Sequence, residues 1–185
     1  MGLTCLFVLL LFAHGLWAKV AALGLFAAAC ATDWLDGRLA RTRRQITPLG
    51  TLLDPIADKV LVLTAFLAFT MLRLIPAWMA GIIIGRELLV TAIRLAVNAR
   101  GQVLPALAPG KLKTLSQMLA ILLILVLLVA RESAPRWSVL PPEDFASWMR
   151  RTIYGVTAVA VYFTIVSGLQ FLWVHRRLLR HGPAR

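Results

Sequence analysis

Long apolar stretches separated by short polar segments run along the whole chain. A helix needs about 20 apolar residues to cross the hydrocarbon core of a bilayer, and most of these stretches approach that length. The pattern therefore predicts an all-α integral membrane protein, a bundle of about six transmembrane helices with a short first one, in a single domain over residues 1–185. The predicted helices are Gly2 to about Trp17, Val20 to Arg41, Leu52 to Leu72, Ala77 to Val97, Lys111 to Ala130 and Thr152 to Trp173.

The polar segments between these helices predict where the chain turns. Arg73 to Pro76 is expected to be a tight turn, Asn98 to Gly110 a polar loop, and Arg131 to Arg151, with three prolines, an outer loop. His175 to Arg185 is expected to be a basic tail. More Lys and Arg lie on the side that holds the loop after Arg41, and positive charge favours the cytoplasmic side. We therefore expect both termini and this loop to face the cytoplasm, in a bacterial inner membrane.

One polar stretch interrupts the apolar pattern at membrane depth. It holds Asp33, Asp36, Asp54 and Asp58, half of the eight acidic residues. Carboxylates are costly there, and a shared polyvalent cation would compensate their charge. The first two are three residues apart and the last two are four apart, so each pair occupies one face of a helix. Oxygen ligands suit Mg²⁺ first and then Mn²⁺ or Ca²⁺, and we expect two ions.

The predicted helix ends support the same interpretation. The first aspartate pair is expected near the C-terminal end of its helix, where negative charge opposes the helix dipole unless a cation compensates. Pro55 is tolerated if the next helix begins near Asp54. The alternative is structural: the aspartates would cap helices and form ion pairs with Arg41 and Lys59.

Composition narrows the class of protein and of partner. With 60% apolar residues and a mean hydropathy of +0.81, the chain is typical of a membrane protein rather than a soluble domain. Its net charge of +12 then favours anionic lipid headgroups over nucleic acid. Cys5 and Cys30 lie in apolar helical sequence and indicate neither a disulfide nor a metal site.

A second group of charges lies inside the predicted fourth helix, which carries Arg86, Glu87 and Arg94. A structural explanation is an ion pair of Glu87 with one of these arginines. The positive excess, extended by Lys111 and Lys113, instead favours binding of an anionic second substrate through its phosphate. Lys59, Thr114 and Gln117 are further candidates for this contact.

The acidic stretch also carries a longer pattern: Asp, two residues, Asp-Gly, two residues, Ala-Arg, eight residues, Gly, three residues, Asp, three residues, Asp. Its eight fixed positions are Asp33, Asp36, Gly37, Ala40, Arg41, Gly50, Asp54 and Asp58. The pattern resembles the signature of the CDP-alcohol phosphotransferases, membrane enzymes of phospholipid synthesis. The resemblance runs from about Ala31 to Gln117. The segments TDWLDG, LDPIADK, GREL and GKLKT are most similar to the branch that makes phosphatidylglycerophosphate.

The resemblance implies roles for these positions. Asp33, Asp36 and Asp54 match the family's metal ligands. Asp58 completes this metal set and matches the carboxylate proposed as general base. The implied reaction transfers the phosphatidyl group of CDP-diacylglycerol to glycerol 3-phosphate and releases CMP, with Mg²⁺ or Mn²⁺ as cofactor. Nucleotide and CDP-lipid contacts are implied at Asp33, Gly37, Ala40, Arg41 and Gly50. The acceptor phosphate contacts follow instead from the basic excess, and we expect them at Arg86, Arg94, Lys111 and Lys113.

The start of the chain departs from the family pattern. Members usually carry an Asn-x-x-Thr-x-x-Arg-like segment just before the first helix, whereas here Phe7 follows Thr4 at the position of the Arg. We therefore expect either a truncated or misassigned start or a true departure from the family. In each case the contribution of the first helix to the nucleotide pocket is in question.

Other functions stay open at this point. The acceptor within the family can also be phosphatidylglycerol, inositol phosphate or serine. A non-catalytic membrane protein, such as a cation pathway or a member without its nucleotide segment, is the alternative from a different class, although a channel has no need for Gly37, Ala40 and Gly50. The expected partners are the two substrates and the lipid bilayer, with no nucleic acid, and a homodimer is an assembly that the sequence leaves open.

Overall fold

The computed structural model describes the backbone of residues 2–43, 50–98, 109–137 and 142–180, and side chains within 2–32, 59–97, 112–133 and 144–174. The described residues form six helices and no strand, which confirms the all-α prediction. In chain order the helices are α1 (Gly2–Phe12), α2 (Leu16–Arg43), α3 (Gly50–Met71), α4 (Ala77–Asn98), α5 (Pro109–Trp137) and α6 (Pro142–Arg180).

Two segments within these helices are long and apolar enough to cross a membrane, judged by length and composition over the described residues. They are Leu112–Ser133 in α5 and Asp144–Val174 in α6, with mean hydropathies of 2.4 and 1.7. Shorter apolar segments lie at Gly2–Phe12, Leu16–Thr32 and Lys59–Met71. The outward faces of α5 and α6 agree with a lipid environment, since large apolar side chains there are more than half exposed: Leu115, Leu119, Tyr162 and Leu169.

The short first helix is confirmed, but its predicted end near Trp17 is wrong. α1 ends at Phe12, and Gly15, with φ of 104°, turns the chain so that Trp17 belongs to α2. The buried ammonium of Lys19 donates hydrogen bonds of 2.6 and 2.8 Å to the carbonyls of Leu11 and Ala13. These carbonyls lie at the C-terminal end of α1, where helix geometry leaves them without a backbone donor, so Lys19 caps the helix.

The largest difference from the predicted pattern lies at Arg131 to Arg151, most of which is helical rather than a loop. α5 continues to Trp137 and α6 begins at Pro142, so only 138–141 lie outside the described helices. Proline is favoured in the first turn of a helix because its missing N–H has no partner there anyway. Met149 and Ile153 are buried four residues apart, so the polar start of α6 already has a buried face. The predicted tail is likewise helical up to Arg180.

α3 also begins earlier than predicted. It starts at Gly50, four residues before Asp54, so Pro55 lies inside the helix rather than at its first position. Because proline lacks an N–H, the carbonyl of Thr51 has no helical donor one turn later. The predicted loop from Asn98 to Gly110 agrees with the end of α4 at Asn98, and its residues 99–108 lie outside the described part.

The tight turn predicted at Arg73 to Pro76 is confirmed. The amide of Leu74 donates to the carbonyl of Phe69 and that of Arg73 to Thr70, both at 2.9 Å. These two bonds form the Schellman arrangement that ends α3. Its left-handed position is occupied by Arg73, with φ of 55°, where an L-residue other than glycine is disfavoured.

Replacing Arg73 by Gly is therefore expected to raise the free energy of unfolding by about 0.5–1 kcal/mol, since glycine adopts this φ without a Cβ penalty. The thermal unfolding midpoint of the protein in detergent measures the change. Arg150→Gly is the matched control, because Arg150 is an exposed helical residue of α6 and glycine should lower the midpoint there. A decrease at both positions would contradict this account of the turn.

Apolar side chains from all six helices fill the core among the described residues. α5 contacts α2, α3 and α6; α4 packs on α3 and α6; and α1 packs on α2 and α3. The rings of Phe7 and Phe26 lie 5.7 Å apart and join α1 to α2. Phe66 and Phe69 of α3 are fully buried beside them in the same cluster. The packing of α4 on α3 brings Lys59 of α3 next to Thr91 of α4.

Candidate active site

The acidic motif lies on two helices, so its helical placement agrees with the sequence prediction. Five of the eight positions are on α2 and three on α3: Asp33, Asp36, Gly37, Ala40 and Arg41, and then Gly50, Asp54 and Asp58. Each aspartate pair therefore lies on one face of its helix. The side chains of all eight lie outside the described residues, and their metal, nucleotide and base roles stay predictions.

One argument for a metal at the first aspartate pair is wrong. α2 continues to Arg43, seven residues beyond Asp36, so Asp33 and Asp36 do not end a helix. The helix dipole acts within the last turn, and it therefore gives no reason for a cation here. The donor set itself still fits a hard divalent cation, since four carboxylates supply only oxygen ligands. Among the described side chains, no group of three or more His, Cys, Asp or Glu comes together as a rival site.

A buried ion cluster lies beyond this motif, where α4 meets α5. The Glu87 carboxylate is 4% exposed, and its Oε1 accepts hydrogen bonds from Lys113 of α5 and, at 2.8 Å, from Nη1 of Arg86. Lys113 is itself only 6% exposed. An unpaired charge is very costly in such surroundings, so each member keeps the others buried.

The Arg86 side chain also reaches the last helix. Its Nη2 donates a 2.9 Å hydrogen bond to Oγ of Ser167 in α6. Its Nε is buried without a hydrogen-bond partner in the described part of the protein, and the same is true of Nε in Arg94.

Neutral and basic polar groups extend this cluster to a third and a fourth helix. Lys59, which follows Asp58 in α3, donates a 2.7 Å hydrogen bond to Oγ1 of Thr91 in α4. Nε2 of Gln117 in α5 donates to Oγ1 of Thr164 in α6 at 3.0 Å. We call the whole set the polar layer: Lys59, Arg86, Glu87, Thr91, Lys113, Gln117, Thr164 and Ser167.

The polar layer tests the ion pair that the sequence predicted for Glu87 of α4. The Glu87–Arg86 pair is present, as the structural alternative proposed, but the second partner of Glu87 is Lys113 rather than Arg94. Phosphate binding by Arg86, Arg94 and Lys113 stays a prediction. Lys111 belongs to α5 with its side chain outside the described residues.

Sequence reasoning missed the contribution of α6. Thr157, Thr164 and Ser167 are buried polar residues on that helix, and the last two belong to the polar layer. Their spacing of seven and three residues places them on one face, which was the available signal. This signal is weak, because a hydroxyl group costs much less than a charge inside an apolar helix.

The helical bundle, the acidic motif and the buried basic cluster together define a class of membrane enzyme, and comparison with known proteins agrees. Residues 1–166 match the model of the CDP-alcohol phosphatidyltransferase family, and the chain belongs to that family. Its members generally depend on a divalent metal.

Individual relatives narrow the comparison. The chain is 38% identical over 154 residues to a CDP-diacylglycerol–glycerol-3-phosphate 3-phosphatidyltransferase of Bacillus subtilis, covering 83% of this chain and 72% of that protein. A protein of the same name from Pseudomonas fluorescens is 37% identical over 179 residues, covering 92% and 84%. A CMP-forming cardiolipin synthase from Oryza sativa is 35% identical over 175 residues, covering 86% of this chain but only 50% of that protein.

Proposed function

We propose that this chain transfers the phosphatidyl group of CDP-diacylglycerol to glycerol 3-phosphate, forming phosphatidylglycerophosphate and CMP. The observation that carries the proposal is the complete acidic motif on α2 and α3 in a chain 38% identical to a transferase of that name. The family relationship supports an enzyme rather than a cation pathway. We further propose that residues 1–185 act as one domain, with the site at the cytoplasmic face of an inner membrane.

The reaction needs a general base, a group of carboxylates (the acidic cradle) that can bind a divalent cation, and a contact for the phosphate of the acceptor. A hydroxyl oxygen of the acceptor attacks the phosphorus that bears diacylglycerol, its proton passes to the Asp58 carboxylate, and the bond from that phosphorus to the bridging oxygen breaks. CMP leaves with the bridging oxygen. Proton removal by a positioned carboxylate is ordinary general-base catalysis.

The cradle consists of Asp33, Asp36 and Asp54, with Asp58 as the fourth carboxylate. When bound there, a divalent cation supplies charge neutralisation for the pyrophosphate and the departing phosphate. Arg41 offers a planar cation to the nucleotide phosphates. The small positions Gly37, Ala40 and Gly50 allow the nucleotide to approach the helix backbone closely.

The acceptor phosphate is assigned to the basic side of the site. Arg86 and Arg94 each keep a buried Nε without a described partner, and a guanidinium is a planar cation suited to phosphate. Lys113 and Lys111 add positive charge near the start of α5, and Glu87 offsets part of it. A phosphate monoester carries nearly two negative charges and fits this excess better than an uncharged acceptor does.

The test is product formation by the full chain in mixed micelles with labelled CDP-diacylglycerol and one acceptor at a time. We expect Mg²⁺-dependent phosphatidylglycerophosphate with glycerol 3-phosphate and at least tenfold less product with inositol phosphate, serine or phosphatidylglycerol. Cardiolipin as the main product from phosphatidylglycerol would replace this function by the second candidate, which the relative from Oryza sativa favours. Absence of CMP release with every acceptor would refute a transferase.

A further inference from the structure

Gly168 of α6 differs from the other described glycines in that a side chain from another helix lies against it. A Cβ atom built at Gly168 would lie 3.1 Å from Cγ of Arg86 and 3.6 Å from its Nε. At each of the other described glycines, a Cβ would meet nothing within 4 Å. The backbone of α6 therefore has room for the Arg86 side chain at this position because no side chain projects there.

Ser167, the residue before this glycine, binds the guanidinium end of the Arg86 side chain. Oγ of Ser167 accepts from Nη2 of Arg86, while the Glu87 carboxylate accepts from Nη1. Both guanidinium amino groups are thus directed by fixed acceptors, and the stem lies against Gly168. A guanidinium has five N–H donors, so three remain, one on each nitrogen. We call Glu87, Ser167 and Gly168 the Arg86 seat.

The direction of a guanidinium matters because it recognises phosphate through a planar fork of parallel hydrogen bonds. A side chain with four rotatable bonds has many conformations, and only a few point this fork at one place. Held at both amino groups and along its stem, Arg86 is 15% exposed and has lost most of that freedom. Such preorganisation strengthens binding without adding a contact to the ligand.

We propose that Ser167 and Gly168 are positioning residues for the acceptor: they set the orientation of Arg86 toward the phosphate of the acceptor alcohol. The inference rests on the proposed function, in which Arg86 contacts that phosphate. It gives α6, which carries none of the acidic motif, a direct part in acceptor affinity. A purely structural role for the two residues would change stability and affect both substrates alike.

The experiment compares Gly168→Ala and Ser167→Ala in the full chain, with KM measured for both substrates and the thermal midpoint recorded. We expect each variant to raise the KM for glycerol 3-phosphate roughly three- to tenfold, because a charge-assisted hydrogen bond is weakened rather than removed. The KM for CDP-diacylglycerol should change less than about twofold, since its phosphates are assigned to the acidic motif. Gly155→Ala is the matched control: it makes the same change on the same helix, where a Cβ meets nothing within 4 Å.

Arg86→Gln separates the two proposals. Alone it should raise the KM for glycerol 3-phosphate by at least tenfold, and Gly168→Ala should add little in its presence, because both act on one contact. If Arg86→Gln raises this KM but neither α6 variant does, the seat is refuted and the proposed function stands. If Arg86→Gln leaves the KM for glycerol 3-phosphate unchanged, the assignment of the acceptor phosphate to Arg86 is wrong, and so is the role of the Arg86 seat. The seat is also refuted if Gly168→Ala raises this KM equally with and without Arg86. If the Gly168→Ala variant does not fold, Ser167→Ala provides the test of the seat.

Discussion

Replacing Asp36 or Asp54 by Asn is expected to reduce transferase activity by a hundred- to a thousandfold or more. Asparagine keeps the shape of the side chain but removes one formal negative charge from an all-oxygen cation site, and the electrostatic support of the departing phosphate is lost with it. Turnover of labelled CDP-diacylglycerol, measured across a Mg²⁺ titration, gives the result. Metal binding measured by calorimetry on the same variants should weaken in parallel.

The matched control is Asp144→Asn. Asp144 is an exposed residue near the start of α6, far in sequence from the motif, and the same substitution there should leave turnover within about twofold. Near-normal activity of Asp36→Asn or Asp54→Asn at low Mg²⁺ would show that the metal assignment is wrong. The helix dipole does not enter this prediction, because α2 extends two turns past Asp36.

The largest loss of stability is expected from Glu87→Gln. The Glu87 carboxylate accepts hydrogen bonds from both Lys113 and Nη1 of Arg86. The uncharged amide of glutamine would leave the buried ammonium of Lys113 without its counter-charge. Breaking a buried ion pair in this way costs about 3–5 kcal/mol. The thermal midpoint and the rate of proteolysis in detergent should both show the change.

A double variant tests whether the cost arises from the charge. Glu87→Leu combined with Lys113→Met replaces these two residues by apolar side chains of similar size, and it should recover part of the lost stability, because Arg86 still lacks its carboxylate. Asp144→Asn, at an exposed carboxylate near the start of α6, is the control and should change the free energy of unfolding by less than about 1 kcal/mol. A single variant as stable as the parent would mean that Lys113 does not need this carboxylate.

The bounds of α4 illustrate what the sequence was able to predict. Its predicted range, Ala77 to Val97, differs from the observed one by a single residue, because Pro76 and the turn at Arg73 mark its start. The start of α6 was missed by ten residues. Hydropathy detects the part of a helix that crosses lipid, whereas the first turns of α6 are polar outside and buried only at positions such as Met149 and Ile153.

The residues of the candidate site were likewise predicted from the sequence only in part. The acidic motif and the basic residues of α4 and α5 were found because charges at membrane depth are rare and costly. Their pairing was not predictable, since Lys113 comes close to Glu87 only because α4 and α5 both pack on α3 and α6. The sequence signals Ser167 only through its spacing from Thr164 and Thr157, and Gly168 carries no signal until the Arg86 side chain from another helix lies against it.

The polar layer has a consequence for how the bundle responds to membranes of different thickness. A one-turn slide of α6 along α4 would carry Ser167 about 5.4 Å from Arg86, and the same movement would separate Thr164 from Gln117. Gln117, Thr164 and Ser167 are buried, so both hydrogen bonds would be lost together and buried polar groups would be left without partners. Sliding of α6 against α4 and α5 is therefore opposed at this level. A thinner or thicker bilayer should be met by tilting of these helices as a group rather than by sliding of one past another.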